Sequence, residues 1–96
     1  MRFEWNKEKS RTNERKHGVS FVEARTVFYN DAALLFDDPD HSEEEQRFLL
    51  LGSSGNGRLL VVVHCCGEDG DVIRIISARK ATRREEVAYV GQGGAI

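Results

Sequence analysis

Ninety-six residues, 40% of them apolar and 31% charged, suffice for one domain with a single core and exclude a disordered composition. The net charge of −2 hides a polarity: Met1 to Ser20 carries six cations against three acids, whereas Phe36 to Glu45 holds six acids, so a local basic surface and an RNA partner remain compatible with a mildly acidic whole. No apolar run reaches the length of a membrane span and the N-terminus lacks the apolar centre of a signal peptide, so the chain is expected to be soluble and cytoplasmic, with no membrane partner.

Phe3 and Trp5 flank Glu4 in the alternation of a short half-buried strand, and Asn6 is placed to cap a helix. The following "NKEKSRTNERKH" contains no apolar residue, so the pattern leaves helix and non-helix open. Gly18 suits a helix stop, and Ser20 to Glu23 has the spacing of a capping box. Phe21, Ala24, Val27 and Phe28 then share one face of a packed helix. Ala33 to Phe36 suits a strand, and three more begin at Gln46, Arg58 and Asp71, separated by the turn-forming "GSSGNG" and "GEDG". The neighbouring Cys65 and Cys66 are too close for an unstrained disulfide and read as reduced thiols. Thr82 and Glu85 form a second capping box that opens a last helix, and the tail from Gly91 frays. The expected fold class is α+β, a single domain over 1–96: an antiparallel sheet with two N-terminal helices and one C-terminal helix on one face, the other face being left available.

Chemistry concentrates in "VIRIISARKATRREE", Val72 to Glu86, which carries Arg74, Arg79, Lys80, Arg83 and Arg84 with no acid before Glu85. Cations in the first turn of a helix oppose its dipole, so Arg83 and Arg84 either receive phosphate or are neutralised by Glu85 and Glu86. Arg74 and Arg79 lie five residues apart, which sends them to opposite faces unless a bulge near Ser77 intervenes. Arg74, in an apolar strand, needs solvent, an acid or a ligand. His64 ends a strand and is a candidate general acid or base on the open face, or a structural histidine. Lys16 and His17 fit a polar site and equally the C-terminal end of a helix dipole. The loop "DDPDHSEEE" lacks the spacing and glycine of a calcium loop and reads as a solvated charge run, so neither metal nor cofactor is expected.

Taken together, "FEWNKEK", "NERKHGVSFVEA", "DPDHSEEEQRFLLLG" and above all "IRIISARKATRREE" resemble, in order and spacing, the BrnT toxins of bacterial type II toxin–antitoxin pairs. Asn6 stands where that family usually caps with aspartate, and Lys7 where a proline commonly follows. The resemblance implies a RelE-like fold with a helix in the polar stretch, and a ribonuclease that halts translation. It also implies neutralisation by a BrnA antitoxin carrying a ribbon-helix-helix domain, so that DNA is reached only through the antitoxin. Metal-independent cleavage would then use Arg79 and Arg83 on the scissile phosphate, Arg74 in support, and His64 or Lys16 for proton transfer. Arg84, Lys80, His17 and Tyr89 would contact RNA, Tyr89 by stacking unless it packs as a helix face. The competing reading is a non-catalytic module whose basic edge docks an antitoxin or nucleic acid within an autoregulatory repressor.

Overall fold

Alternating apolar residues and glycine-bearing turns assemble a five-stranded sheet in the computed structural model, which describes residues 1–38, 46–67 and 70–94. In chain order the elements are β1 (Arg2–Glu4), α1 (Lys7–His17), α2 (Phe21–Thr26) with a 3-10 turn (Val27–Tyr29), β2 (Leu34–Asp37), β3 (Arg47–Ser53), β4 (Leu59–Cys66), β5 (Val72–Lys80) and α3 (Arg83–Gly91). The sheet order is β1-β5-β4-β3-β2; the meander from β2 to β5 is antiparallel, and β1 joins β5 in parallel. Most of the acidic loop, at 39–45, lies outside the described residues.

The polar stretch is helical although it has no apolar face. Asn6 Oδ1 accepts from Lys9 N at 3.1 Å, and Gly18, at φ 72°, closes the other end in the left-handed conformation that glycine adopts without strain. What docks α1 is its buried Asn13. Beyond Glu4, no strand among the described residues lies beside the edge of β5, and Asn13 fills that place: its Nδ2 donates to Ala78 O at 2.8 Å and its Oδ1 accepts from Ala78 N at 3.1 Å. Nδ2 also donates to Val19 O at 2.8 Å. Both edge backbone groups at Ala78 are thereby paired, as buried peptide groups must be.

On one side of the sheet, Phe21, Ala24 and Val27 meet Leu60, Val62 and Ile75 in the main core. Fully burying a Phe21 or a Leu60 contributes roughly 1.5–3 kcal/mol. The Ser20 cap is half of what the spacing predicts. Ser20 Oγ accepts from Glu23 N, but the Glu23 carboxylate turns away to Arg58 and Ser54. Gly52 is required where β3 runs under the 3-10 turn, since a Cβ there would stand 2.8 Å from that of Ala33.

The helices do not all share one face. Tyr89 of α3 packs with Leu51 and Val61, whose alternation places them opposite Leu50 and Val62. The reason is that β3 and β4 are apolar on both parities, so each face needs cover. α3 supplies that cover only near its own end of the sheet. The rest of the second face carries Arg47, Val63 and Arg74, and at its edge Ser77 meets α1.

Candidate nucleic-acid interface

β5 is one residue longer than its partner. Val63 pairs with Ser77 and His64 with Ile75, which leaves Ile76 as a bulge. Consequently Arg79, opposite Val61, and Arg74, opposite Cys65, share a face although they are five residues apart, because Val61 and Cys65 have the same parity in β4. Arg47 also pairs with Cys65 and joins them. Sequence reasoning did not single out Arg47, although its parity with Leu49 and Leu51 in "RFLLL" was a usable signal.

Arg79 is held, not loose. Its Nη1 and Nη2 donate to the two carboxylate oxygens of Glu85 at 2.8 and 2.9 Å, and Nη1 also donates to Lys80 O at 3.3 Å. Glu85 completes its capping box by accepting from Thr82 N at 2.7 Å. The bond from Arg79, aided by that from the cap, pulls the Glu85 carboxyl down to about 2 against the opposing effect of desolvation. Of the five N–H groups of a guanidinium, the side-on pair formed by Nε and the outer hydrogen of Nη2 makes no hydrogen bond among the described residues. The side chain is 40% exposed.

Arg83 and Arg84 occupy the first two positions of α3, exposed and without an ion pair among the described residues. Neither is neutralised by Glu85, which Arg79 has taken. Lys16 and His17, at the end of α1, stand with Thr12 and Asn13 along a cleft of about 310 Å³ whose other wall is the bulge, Ile76 and Ser77. Arg74 is exposed and engaged in interactions of its own.

Three expected site residues are elsewhere. His64 lies on the α2 side of the sheet, 3% exposed, in edge contact with Phe28 at 4.8 Å and beside Phe48 at 5.8 Å. Burial pushes its pKa below 6.5, with a weaker upward pull from the Val62 carbonyl. The alternation of β4 puts it there with Leu60 and Val62, so it does not meet the arginines. Tyr89 is 1% exposed and its hydroxyl accepts from Asn30 Nδ2 at 2.9 Å, so it packs and offers no ring to a base. Lys80 pairs with Leu60 and faces the other way from Arg79; its charge helps lower Glu23. Among the described residues no group of three His, Cys, Asp or Glu side chains could hold a metal ion, and no helix is long and apolar enough to cross a membrane.

The family model described as the ribonuclease toxin BrnT of type II toxin–antitoxin systems matches residues 5–85. Among solved structures, the 1.1 Å crystal structure of the Brucella abortus ribonuclease toxin BrnT aligns with a TM-score of 0.66 at 21% identity, covering 86% of this chain and 99% of that one. At that identity the likeness speaks for the fold: two N-terminal helices, a mostly antiparallel five-stranded sheet and a C-terminal helix. No curated protein matches.

Proposed function

The chain belongs to the BrnT family of ribonuclease toxins of type II toxin–antitoxin systems, and from that premise we propose that it cuts RNA without a metal ion, arrests translation and is neutralised by a ribbon-helix-helix antitoxin of the BrnA type. The observation that carries this reading is the Ile76 bulge, which sets Arg74 and Arg79 on one face. The Lys16 cleft opens against that same bulge. Guanidinium and ammonium groups are donors to a phosphodiester; magnesium would call for carboxylates.

The chemistry follows from those donors. The 2′-oxygen of RNA attacks phosphorus as its proton leaves, charge grows on the non-bridging oxygens, and the bond to the 5′-oxygen breaks as that oxygen gains a proton. The side-on fork of Arg79 and the guanidinium of Arg83 take the non-bridging oxygens. Glu85 fixes the plane of Arg79 beforehand, so little reorganisation is needed when charge develops. Arg74 supports the neighbouring phosphate, Lys16 transfers protons, and Arg84 and His17 flank the strand. His64, Tyr89 and Lys80 have no part in this reading. The products are a 2′,3′-cyclic phosphate and a 5′-hydroxyl. DNA is contacted by the antitoxin alone.

Incubating purified, antitoxin-free protein with RNA in excess EDTA, with and without translating ribosomes, tests this. Cutting in either condition supports it. RNA binding without cutting in both favours the non-catalytic docking module.

A further inference from the structure

The second face of the sheet carries a feature that phosphate chemistry does not use. Between α3 and the outer strands runs a groove of about 360 Å³, floored by Leu49, Leu51 and Val61 and walled by Phe36 and Ala88, with Arg84 at its mouth. Phe36 is 47% exposed. It sits on β2, the terminal strand of the sheet, paired with Leu49 on the face of the groove. As an edge strand β2 is guarded by its four-residue length and by Asp37 at its end, which leaves Phe36 as its exposed apolar side chain on the groove face. An apolar trough continuous with an apolar edge marks a protein-binding surface.

The rim decides what kind of protein. Glu85 also borders the groove, but Arg79 neutralises it, so among the described residues the charge presented there is that of Arg84, with Arg83 next to it in the first turn of α3. A floor of leucine and valine rejects phosphate and accepts apolar side chains; cations at the mouth select acids. We infer that this groove is where the antitoxin docks, through an amphipathic segment that seats apolar side chains on Leu49, Leu51 and Val61 and presents carboxylates to Arg84 and Arg83. The inference rests on the toxin–antitoxin reading for the existence of a protein partner, and on the groove for its location. Docking there covers the two α3 arginines, so the antitoxin withdraws cations that the RNA needs without entering the Lys16 cleft.

The test uses the full chain and its cognate antitoxin, with Ala88→Gln and Phe36→Asn as separate variants and Val22→Gln, on the exposed side of α2, as control. Ala88 is an exposed helix position and Phe36 is half exposed, so both variants are expected to fold, which circular dichroism and thermal melting check. Calorimetric titration should find antitoxin affinity at least tenfold weaker for each groove variant and unchanged for the control, while RNA cleavage stays within twofold of the unmodified protein. Unchanged antitoxin affinity in both groove variants overturns the proposal. So does loss of RNA cleavage with antitoxin binding intact, which would assign the groove to RNA, or loss of self-association alone, which would assign it to a second copy. If the unmodified protein cuts no RNA yet the groove variants still lose the antitoxin, the docking site stands and the ribonuclease reading falls.

Discussion

Arg79 grips Glu85 through two parallel bonds of 2.8 and 2.9 Å, and that grip joins the last strand to the last helix. Glu85→Gln keeps the side-chain cap on Thr82 N but removes the charge. The folded carboxyl titrates at about 2 against an ordinary 4.5. Its contribution to stability is therefore complete above pH 4.5 and lost as pH falls from 4.5 through 2. Because Arg79 is partly in water, screening reduces the gain, and the variant should be less stable by about 1 kcal/mol at pH 7. Urea unfolding of both proteins between pH 7 and 2 should find that gap closing as the pH falls. A gap of constant size would mean that the pair contributes nothing through charge.

Asn13→Ala removes three buried hydrogen bonds at once and leaves the edge of β5 at Ala78 unpaired. Stranding the buried Ala78 and Val19 peptide groups should cost about 2–4 kcal/mol. Hydrogen exchange should locate it, with the amide of Ala78 losing protection in the variant. Protection equal to the unmodified chain would mean that another group satisfies this edge.

Glu23 is 8% exposed and held by Arg58, which also reaches Gly18 O at 2.8 Å and so ties α1, α2 and the β3–β4 turn together. Arg58→Ala leaves the Glu23 carboxylate with Ser54 as its remaining side-chain partner and, since Arg58 is itself 34% exposed, should cost roughly 1–3 kcal/mol, more than the double variant Glu23→Gln, Arg58→Ala. Chemical denaturation of the two single variants and the double closes the cycle. Arg58 holds the Glu23 carboxyl below its ordinary range, so the unmodified protein should lose this contribution as pH falls below 4.5.

His64→Gln should leave RNA cleavage within about twofold in folded protein, since a side chain buried on the α2 side cannot reach substrate. Its effect belongs to stability. The folded ring binds a proton less readily than the unfolded one, so the unmodified protein loses stability as pH drops below 6.5, and the variant should lose less. A fall of a hundredfold in cleavage by a folded His64→Gln protein would return the ring to the mechanism.

The order of elements was legible in the sequence because caps, turns and strand alternation are local signals. Thr82 and Glu85 form the full capping box their spacing implies, and each strand of the meander lies within a residue or so of its apolar run. α1 was not legible from periodicity, since Asn13 and not an apolar face docks it, and the groups it pairs lie 65 residues away. The same distance problem hid His64 and α3. Which parity of β4 meets which layer depends on helices far away in the chain, and β4 is apolar on both faces. A bulge near Ser77 was one of two possibilities in the sequence; only the pairing of His64 with Ile75 distinguishes them. The half-made cap at Ser20 reflects competition, because Arg58 offers Glu23 a stronger partner than a backbone N–H.

The most direct test of the account is end analysis of RNA cut by the antitoxin-free protein in excess EDTA, beside Arg74→Ala and Arg83→Ala. The account predicts fragments ending in 2′,3′-cyclic phosphate from the unmodified chain, a loss of about a hundredfold or more in Arg83→Ala, the scale expected when a charge-stabilising donor is removed, and a smaller loss in Arg74→Ala. Cleavage that required added divalent metal, or that proceeded undiminished in both folded arginine variants, would contradict it.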